Sequence, residues 1–117
     1  MASTSVYRGF YFMNSQIENP LLTLNDTYAK MWDYMLKNMK ASNRIVIMQA
    51  AVAKDIGITP QFMSKVIRKL LLKGLIVKNG KQQHNIVYMV NPNYAWNGSV
   101  DTKEAGGKLF AELIKNA

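Results

Sequence analysis

The sequence predicts a mainly α fold with a small β hairpin, an α+β domain, and three observations carry that reading. Helical patterns occur at four places, and three of them bring apolar residues to one face. Three short runs, "RIVIM", "LIVKN" and "NIVYMV", have the composition of strands. The last two flank "GKQQH", which reads as a hairpin connection. The 117 residues suffice for one domain with a single modest core, and with 49% of them apolar the chain is not a disordered tail.

Residues 1–25 read as an N-terminal arm. Its aromatic "VYRGFYFMN" resembles a strand, whereas "NSQIENPLLTLN" carries few periodic cues. Tyr28, Met31, Trp32, Met35, Leu36 and Met39 then fall on one helical face, with Asn25 or Asp26 as N-cap and the methionines and tryptophan as core filling. Arg44 to Met48 reads as a strand after the turn-like "ASN". "QAAVAKDIG" is a short helix stopped by Gly57, which suits a left-handed C-terminal position. Thr59 caps the next helix and Pro60 takes its first position, where a missing N–H is harmless. That helix runs to Lys73 and ends at Gly74. Asn91-Pro92 stops the second hairpin strand. "NYAWNGS" reads as a loop. Asp101 or Thr102 caps a last helix whose apolar positions are Gly106, Leu109, Phe110, Leu113 and Ile114.

The order helix, strand, helix, helix, strand, strand is that of a winged helix-turn-helix domain, here over residues 26–92. The arm precedes it, and a loop with the C-terminal helix, residues 93–117, follows. A helix-turn-helix needs a small residue where its two helices cross and a turn residue tolerating positive φ four positions on. Ala53 and Gly57 meet both needs. In the second helix Met63, Val66, Ile67, Leu70 and Leu71 face the core. Gln61, Phe62, Ser64, Lys65, Arg68 and Lys69 are left outside, a set rich in donors and cations. A plain helical hairpin with a solvated basic face is the alternative.

The net charge of +8 is uneven. Residues 1–36 sum to −1, residues 37–81 to +9, and residues 82–117 to 0. The whole excess therefore lies on the segment holding the helix-turn-helix, as expected of a polyanion-binding surface, although a lysine-rich surface kept for solubility has the same composition. Double-stranded DNA is the expected partner. Thr59 and Gln61, at the helix start, suit a phosphate or the first base edge. Gln61, Ser64 and Lys65 suit base edges, with Phe62 against a thymine methyl. Arg68 and Lys69 suit phosphates, as do Arg44 and Lys54. Lys78, Lys81, Gln82, Gln83 and His84 form the wing, expected on the backbone or in the minor groove.

The run "VAKDIGITPQFMSKVIRKLLLKGLI", the hairpin and "VYMVNPNYAWNGS" together resemble the RepL-type plasmid and phage replication initiation proteins. Tyr88, Met89, Val90, Asn91 and Pro92 match that family's post-wing segment, and Gly98 falls at its later glycine. Asn97 stands where the family pattern has a basic residue, so an anion contact there loses its charge. The resemblance covers roughly residues 44–99. It implies a winged-helix initiator that binds an origin and engages other replication proteins, with copy control of the plasmid as its setting. The alternatives are a winged-helix transcriptional regulator of a mobile element and a protein-interaction winged helix.

Catalysis is not expected. His84 is the only histidine and lies on the wing, cysteine is absent, the seven acids are scattered, and "EAGGK" lacks the first half of a phosphate-binding loop. No metal or cofactor is expected. The absence of cysteine fits a reducing cytosol, and a cytoplasmic location is expected with no secretory signal and no membrane span. A homodimer is expected through Leu109, Phe110, Leu113 and Ile114, a stripe that would otherwise close the domain's own core.

Overall fold

The computed structural model describes residues 11–13 and 26–117. The elements are β1 (Tyr11–Met13), α1 (Asp26–Asn38), a single 3-10 turn (Ala41–Asn43), β2 (Arg44–Val46), α2 (Gln49–Ile56), α3 (Pro60–Leu72), β3 (Ile76–Gln82), β4 (Asn85–Val90), β5 (Ala95–Asn97) and α4 (Val100–Lys115). Of the arm, Tyr11–Met13 is a strand. The cap expected at Asn25 lies outside the described residues, and Asp26 is already helical.

α1 buries Tyr28, Met31, Trp32, Met35 and Leu36, the stripe its spacing predicts. It ends where the Asn38 side-chain amide donates to the Tyr34 carbonyl at 2.8 Å. α2 stops at Gly57, whose φ of 81° and ψ of 38° are left-handed. The N–H groups of Gly57 and Ile58 both donate to the Ala53 carbonyl at 2.9 Å, which reverses the chain within one turn. Thr59 is extended, and its hydroxyl accepts from the Phe62 N–H at 3.1 Å. Pro60 follows at the first helical position, so α3 begins where the sequence says it must. Ala53 is buried at the α2–α3 crossing.

Three strands form an antiparallel sheet in the order β2-β4-β3. β4 is buried from Val87 to Val90, the continuous apolar run of a strand covered on both faces. Tyr88, Val90 and Ile76 join the main core with α1, α2 and α3. Val77 and Met89 face the opposite way and pack with Trp96 and Phe110. The last helix therefore closes the second face of the sheet.

The structure differs from the sequence reading in several places. α4 starts at Val100 with Ser99 at the N-cap position, so Asp101 and Thr102 lie within its first turn and do not cap it. Ala95–Asn97 is a fully buried strand, not a loop, and pairs antiparallel with β1, Phe12 opposite Trp96. Its partner lies more than eighty residues earlier, so no local pattern announces it. The hairpin is also tighter than expected: β3 continues through Gln82, and Gln83-His84 alone form the turn.

The segment after β4 is held by three asparagines. Asn91 donates from Nδ2 to the Gly74 carbonyl at 2.9 Å and from its N–H to Leu75. Asn43, completely buried, donates from Nδ2 to the carbonyls of Val90 at 2.9 Å and Ala95 at 2.7 Å, and its Oδ1 accepts the Asn97 N–H at 2.7 Å. Asn97 in turn donates from Nδ2 to the Met39 carbonyl at 2.8 Å. Trp96 donates its indole N–H to the Ser99 carbonyl at 3.0 Å, and the benzo end of its ring lies close against Gly106.

A Cβ at Gly106 would stand 2.3 Å from the Trp96 ring, whereas one at Gly107 meets nothing within 4 Å. Gly106→Ala is therefore expected to destabilise the fold by about 3 kcal/mol. Gly107→Ala, on the open side of the same helix, is expected to stabilise it by about 0.5–1 kcal/mol. Urea unfolding of the two variants checks both signs. Asn43→Ala orphans two carbonyls and one N–H, and Asn43 sits at φ 60°, where alanine is strained. Its expected loss is at least about 3 kcal/mol in the same measurement.

Candidate nucleic-acid interface

α3 sorts its residues by angle. At 100° per residue, Gln61, Ser64, Lys65, Arg68, Lys69 and Leu72 share an arc of about 140°. All six are exposed, while Met63, Val66, Ile67 and Leu70 on the other side are buried. Leu71 lies at the boundary and is half-buried. The exposed arc carries three cations and two neutral hydrogen-bonding side chains at its N-terminal and central turns. A helix is about 10–12 Å across with its side chains, and the major groove about 12 Å wide. The arc is convex, donor-rich and unobstructed, as groove insertion requires.

Phe62 is placed differently from the sequence reading. It sits at the edge of the arc, half-buried, and packs against the main core. Its ring anchors the first turn of α3, which leaves little of it for a thymine methyl. Thr59 is exposed, but its hydroxyl is engaged in capping the helix.

The wing is a paired ribbon to its tip. Lys81 lies opposite Ile86 and Gln82 opposite Asn85, with a register shift between Lys78 and Lys81 at Gly80, where φ is 89°. Such a bulge increases local twist and bends the ribbon. Lys78, Lys81, Gln82, Gln83 and His84 are all exposed. Arg44, on β2, shares with Lys40, Asn38, Tyr34 and Gln82 a concavity of about 560 Å³ along one side of the wing. The structure thus brings Arg44 to the wing and adds Lys40, which sequence reasoning passed over. Lys54 is exposed on α2, about 140° around that helix from Gln49.

Gln49 is a second residue the sequence did not announce. Its Oε1 accepts from the Ser64 hydroxyl at 3.0 Å. The two are fifteen positions apart, and only the crossing of α2 and α3 joins them.

Among the described residues, the ion pairs Asp33–Lys37 and Glu104–Lys108 involve none of the cations of α3 or the wing. Their charge is therefore directed to solvent and to whatever polyanion approaches. Asp55, the one acid of the basic segment, lies near Tyr34 instead. Burial and then the Asp55 carboxylate raise the Tyr34 phenol above its ordinary pKa. Burial alone raises that of Tyr88, in the core. Among the described residues no three His, Cys, Asp or Glu side chains cluster as metal ligands, and no helix is long and apolar enough to cross a membrane.

The stripe on α4 is divided. Phe110 is buried against Val77, Met89 and Trp96, so it is a core residue of its own chain rather than a contact for a second copy. Leu113 is half-buried beside it. Leu109 and Ile114, at the two edges, are each 44% exposed.

A helix-turn-helix followed by a twisted two-stranded ribbon, with sheet order β2-β4-β3, defines a winged-helix-like protein. The chain matches the model of the Firmicute plasmid replication protein family, RepL, over residues 7–112, and it belongs to that family. The match extends beyond the helix-turn-helix to β1 and most of α4. Comparisons with curated proteins and with solved structures returned no match.

Two stability measurements separate anchoring from contact on α3. Phe62→Ala is expected to destabilise the fold by about 2 kcal/mol, part of the cost of removing a fully buried ring. Thr59→Ala is expected to cost about 1 kcal/mol through the lost cap. Lys65→Ala and Arg68→Ala should stay within about 0.5 kcal/mol of the parent chain, because neither side chain is buried or paired.

Proposed function

We propose that this plasmid replication protein binds double-stranded DNA sequence-specifically at a replication origin and acts there as an initiator. The observation that carries the reading is the exposed arc of α3, with its donors forward and its cations free of ion pairs among the described residues, flanked by a cationic wing. α3 enters the major groove, where Gln61, Ser64 and Lys65 face base edges. Arg68 and Lys69 lie further along the helix, where the groove walls present phosphates. The wing, with Lys78 and Lys81, and the pair Arg44 and Lys40 along one side of it lie on the adjacent backbone. The chain works by binding and not by catalysis, in the cytosol where a plasmid resides, and it recruits other replication proteins to the bound site.

Pairing of two copies belongs to the proposal, because one recognition helix covers a short site and a second engagement raises avidity. Leu109 and Ile114 are the apolar surface left for it on α4. Light scattering at high protein concentration should give the mass of two chains, and a monomer there would remove this part.

Fluorescence anisotropy with an origin duplex and a scrambled duplex, at two salt concentrations, tests the central reading. Salt-sensitive binding that favours the origin sequence is expected. Lys65→Ala should weaken origin binding by about 1–3 kcal/mol and scrambled binding by less, as loss of a base contact does. Arg68→Ala should weaken both equally and reduce the salt slope by about 1, as loss of a phosphate contact does. A preference for promoter duplexes over origin duplexes would make the chain a regulator, and no salt-sensitive binding would leave the basic arc as a solvated face.

A further inference from the structure

The Ser64 hydroxyl and the Gln49 amide meet at 3.0 Å across the α2–α3 crossing, with the hydroxyl donating and Oε1 accepting. Ser64 is exposed at one edge of that arc, the edge beside α2, and Gln49 is half-buried as the first residue of α2. The frame beneath them is fixed: Ala53 is buried at the crossing, Gly57 reverses the chain, and the Thr59 cap sets the start of α3.

A serine hydroxyl carries one donor and two acceptor lone pairs, and it rotates to suit its surroundings. In a major groove it therefore pairs with donor and acceptor base edges alike, and discriminates poorly. A hydroxyl whose proton is already directed at Gln49 has only lone pairs to offer outward. The hydrogen-bond donors on base edges in the major groove are the N6 amino group of adenine and the N4 amino group of cytosine. Guanine presents N7 and O6, and thymine O4, all acceptors.

We propose that Gln49 is a positioning residue that turns Ser64 into an acceptor-only contact, so that the base facing Ser64 is adenine or cytosine and not guanine or thymine. The proposal rests on the reading of α3 as a groove-reading helix. It goes beyond that reading by assigning a base preference to one side chain and tracing it to a residue on another helix.

Selection from a random duplex pool with the full-length chain, followed by sequencing, tests it with three variants. The parent chain should enrich a motif, and Ser64→Ala should flatten one position of it and leave the rest. The expected loss there is roughly three- to tenfold, the range of one neutral hydrogen bond. In the parent chain that position should hold adenine or cytosine. Gln49→Ala frees the hydroxyl to rotate, and the same position should spread to all four bases. Gln49→Glu keeps an acceptor beside Ser64, so adenine and cytosine should persist there even if overall affinity falls near phosphates. Guanine or thymine at that position in the parent motif would overturn the proposal, because the amide would then be donating to Ser64. So would an unchanged motif in Gln49→Ala or in Ser64→Ala. Each of these leaves DNA reading by α3 intact, whereas a parent chain that enriches no motif overturns that reading itself. Thermal unfolding of each variant, run in parallel, confirms that a flattened position is not a misfolded chain.

Discussion

The placement of everything after the wing depends on one buried side chain, the amide of Asn43. It donates to the carbonyls of Val90 and Ala95 and accepts from the N–H of Asn97, across sequence separations of 47 to 54 residues. A buried amide with all these bonds made is far more specific than an apolar side chain of equal volume, because any shift in register would leave polar groups unsatisfied. Asn97 extends the contact to Met39, so the end of α1, the 3-10 turn, the end of β4 and β5 become one unit. The conformation needed is demanding, since both Ser42 and Asn43 have positive φ. Asparagine tolerates that region better than most residues, and its side chain can replace backbone partners that the turn itself cannot supply.

From this clasp follows the seat of the last helix. β5 is fixed beside the 3-10 turn, which aims Trp96 along the back of the sheet. The Trp96 ring lies against Gly106, and that close approach lets Phe110 reach Val77 and Met89. The sheet is thereby covered on both faces, and the wing rises from a strand pair whose base is buried on two sides. The "NPNYAWNGS" segment thus serves architecture: Asn91 holds the chain to the end of α3, and Asn97 is buried. An asparagine at position 97 is suited to that buried polar role, in which a cation would lack a partner.

The legibility of the sequence follows the range of each signal. The α2–α3 unit was readable almost to the residue, because Gly57, Thr59 and Pro60 each act on the two or three peptide groups beside them. The stripe of α1 was readable because helical spacing is a local property. β5 was not, since three residues without alternation become a strand only through pairing with β1. The outer half of β3 was read as loop because Lys81 and Gln82 are polar, yet a ribbon ladder is made by backbone groups. At the candidate site the exposed cations were recognisable from spacing and charge. Phe62 was not separable into anchor or contact, because its angle lies on the boundary between core and solvent. Lys40 and Gln49 join the site through tertiary approach alone. On α4 the apolar stripe was visible, but whether it met the same chain or another was undetermined until the Trp96–Gly106 approach showed what fills it.

The distribution of acids completes the physical argument for the basic face. Asp33 is satisfied within α1 by Lys37, and Glu104 lies four residues before Lys108 on α4, the element behind the sheet. Asp55 sits beside Tyr34 rather than toward α3. No carboxylate of the described residues is ion-paired with α3 or the wing. Exposed ion pairs contribute little to stability, so pairing these cations within the fold would bring little gain. Leaving them unpaired raises self-repulsion across α3 and the wing, a cost that a phosphate backbone removes when it binds. Under the proposed reading, the same cations that modestly destabilise the isolated chain supply the salt-dependent part of its affinity for DNA. Gln61 and Ser64 are neutral and contribute almost nothing to that field, and under the proposed DNA-binding reading base preference falls to them together with Lys65.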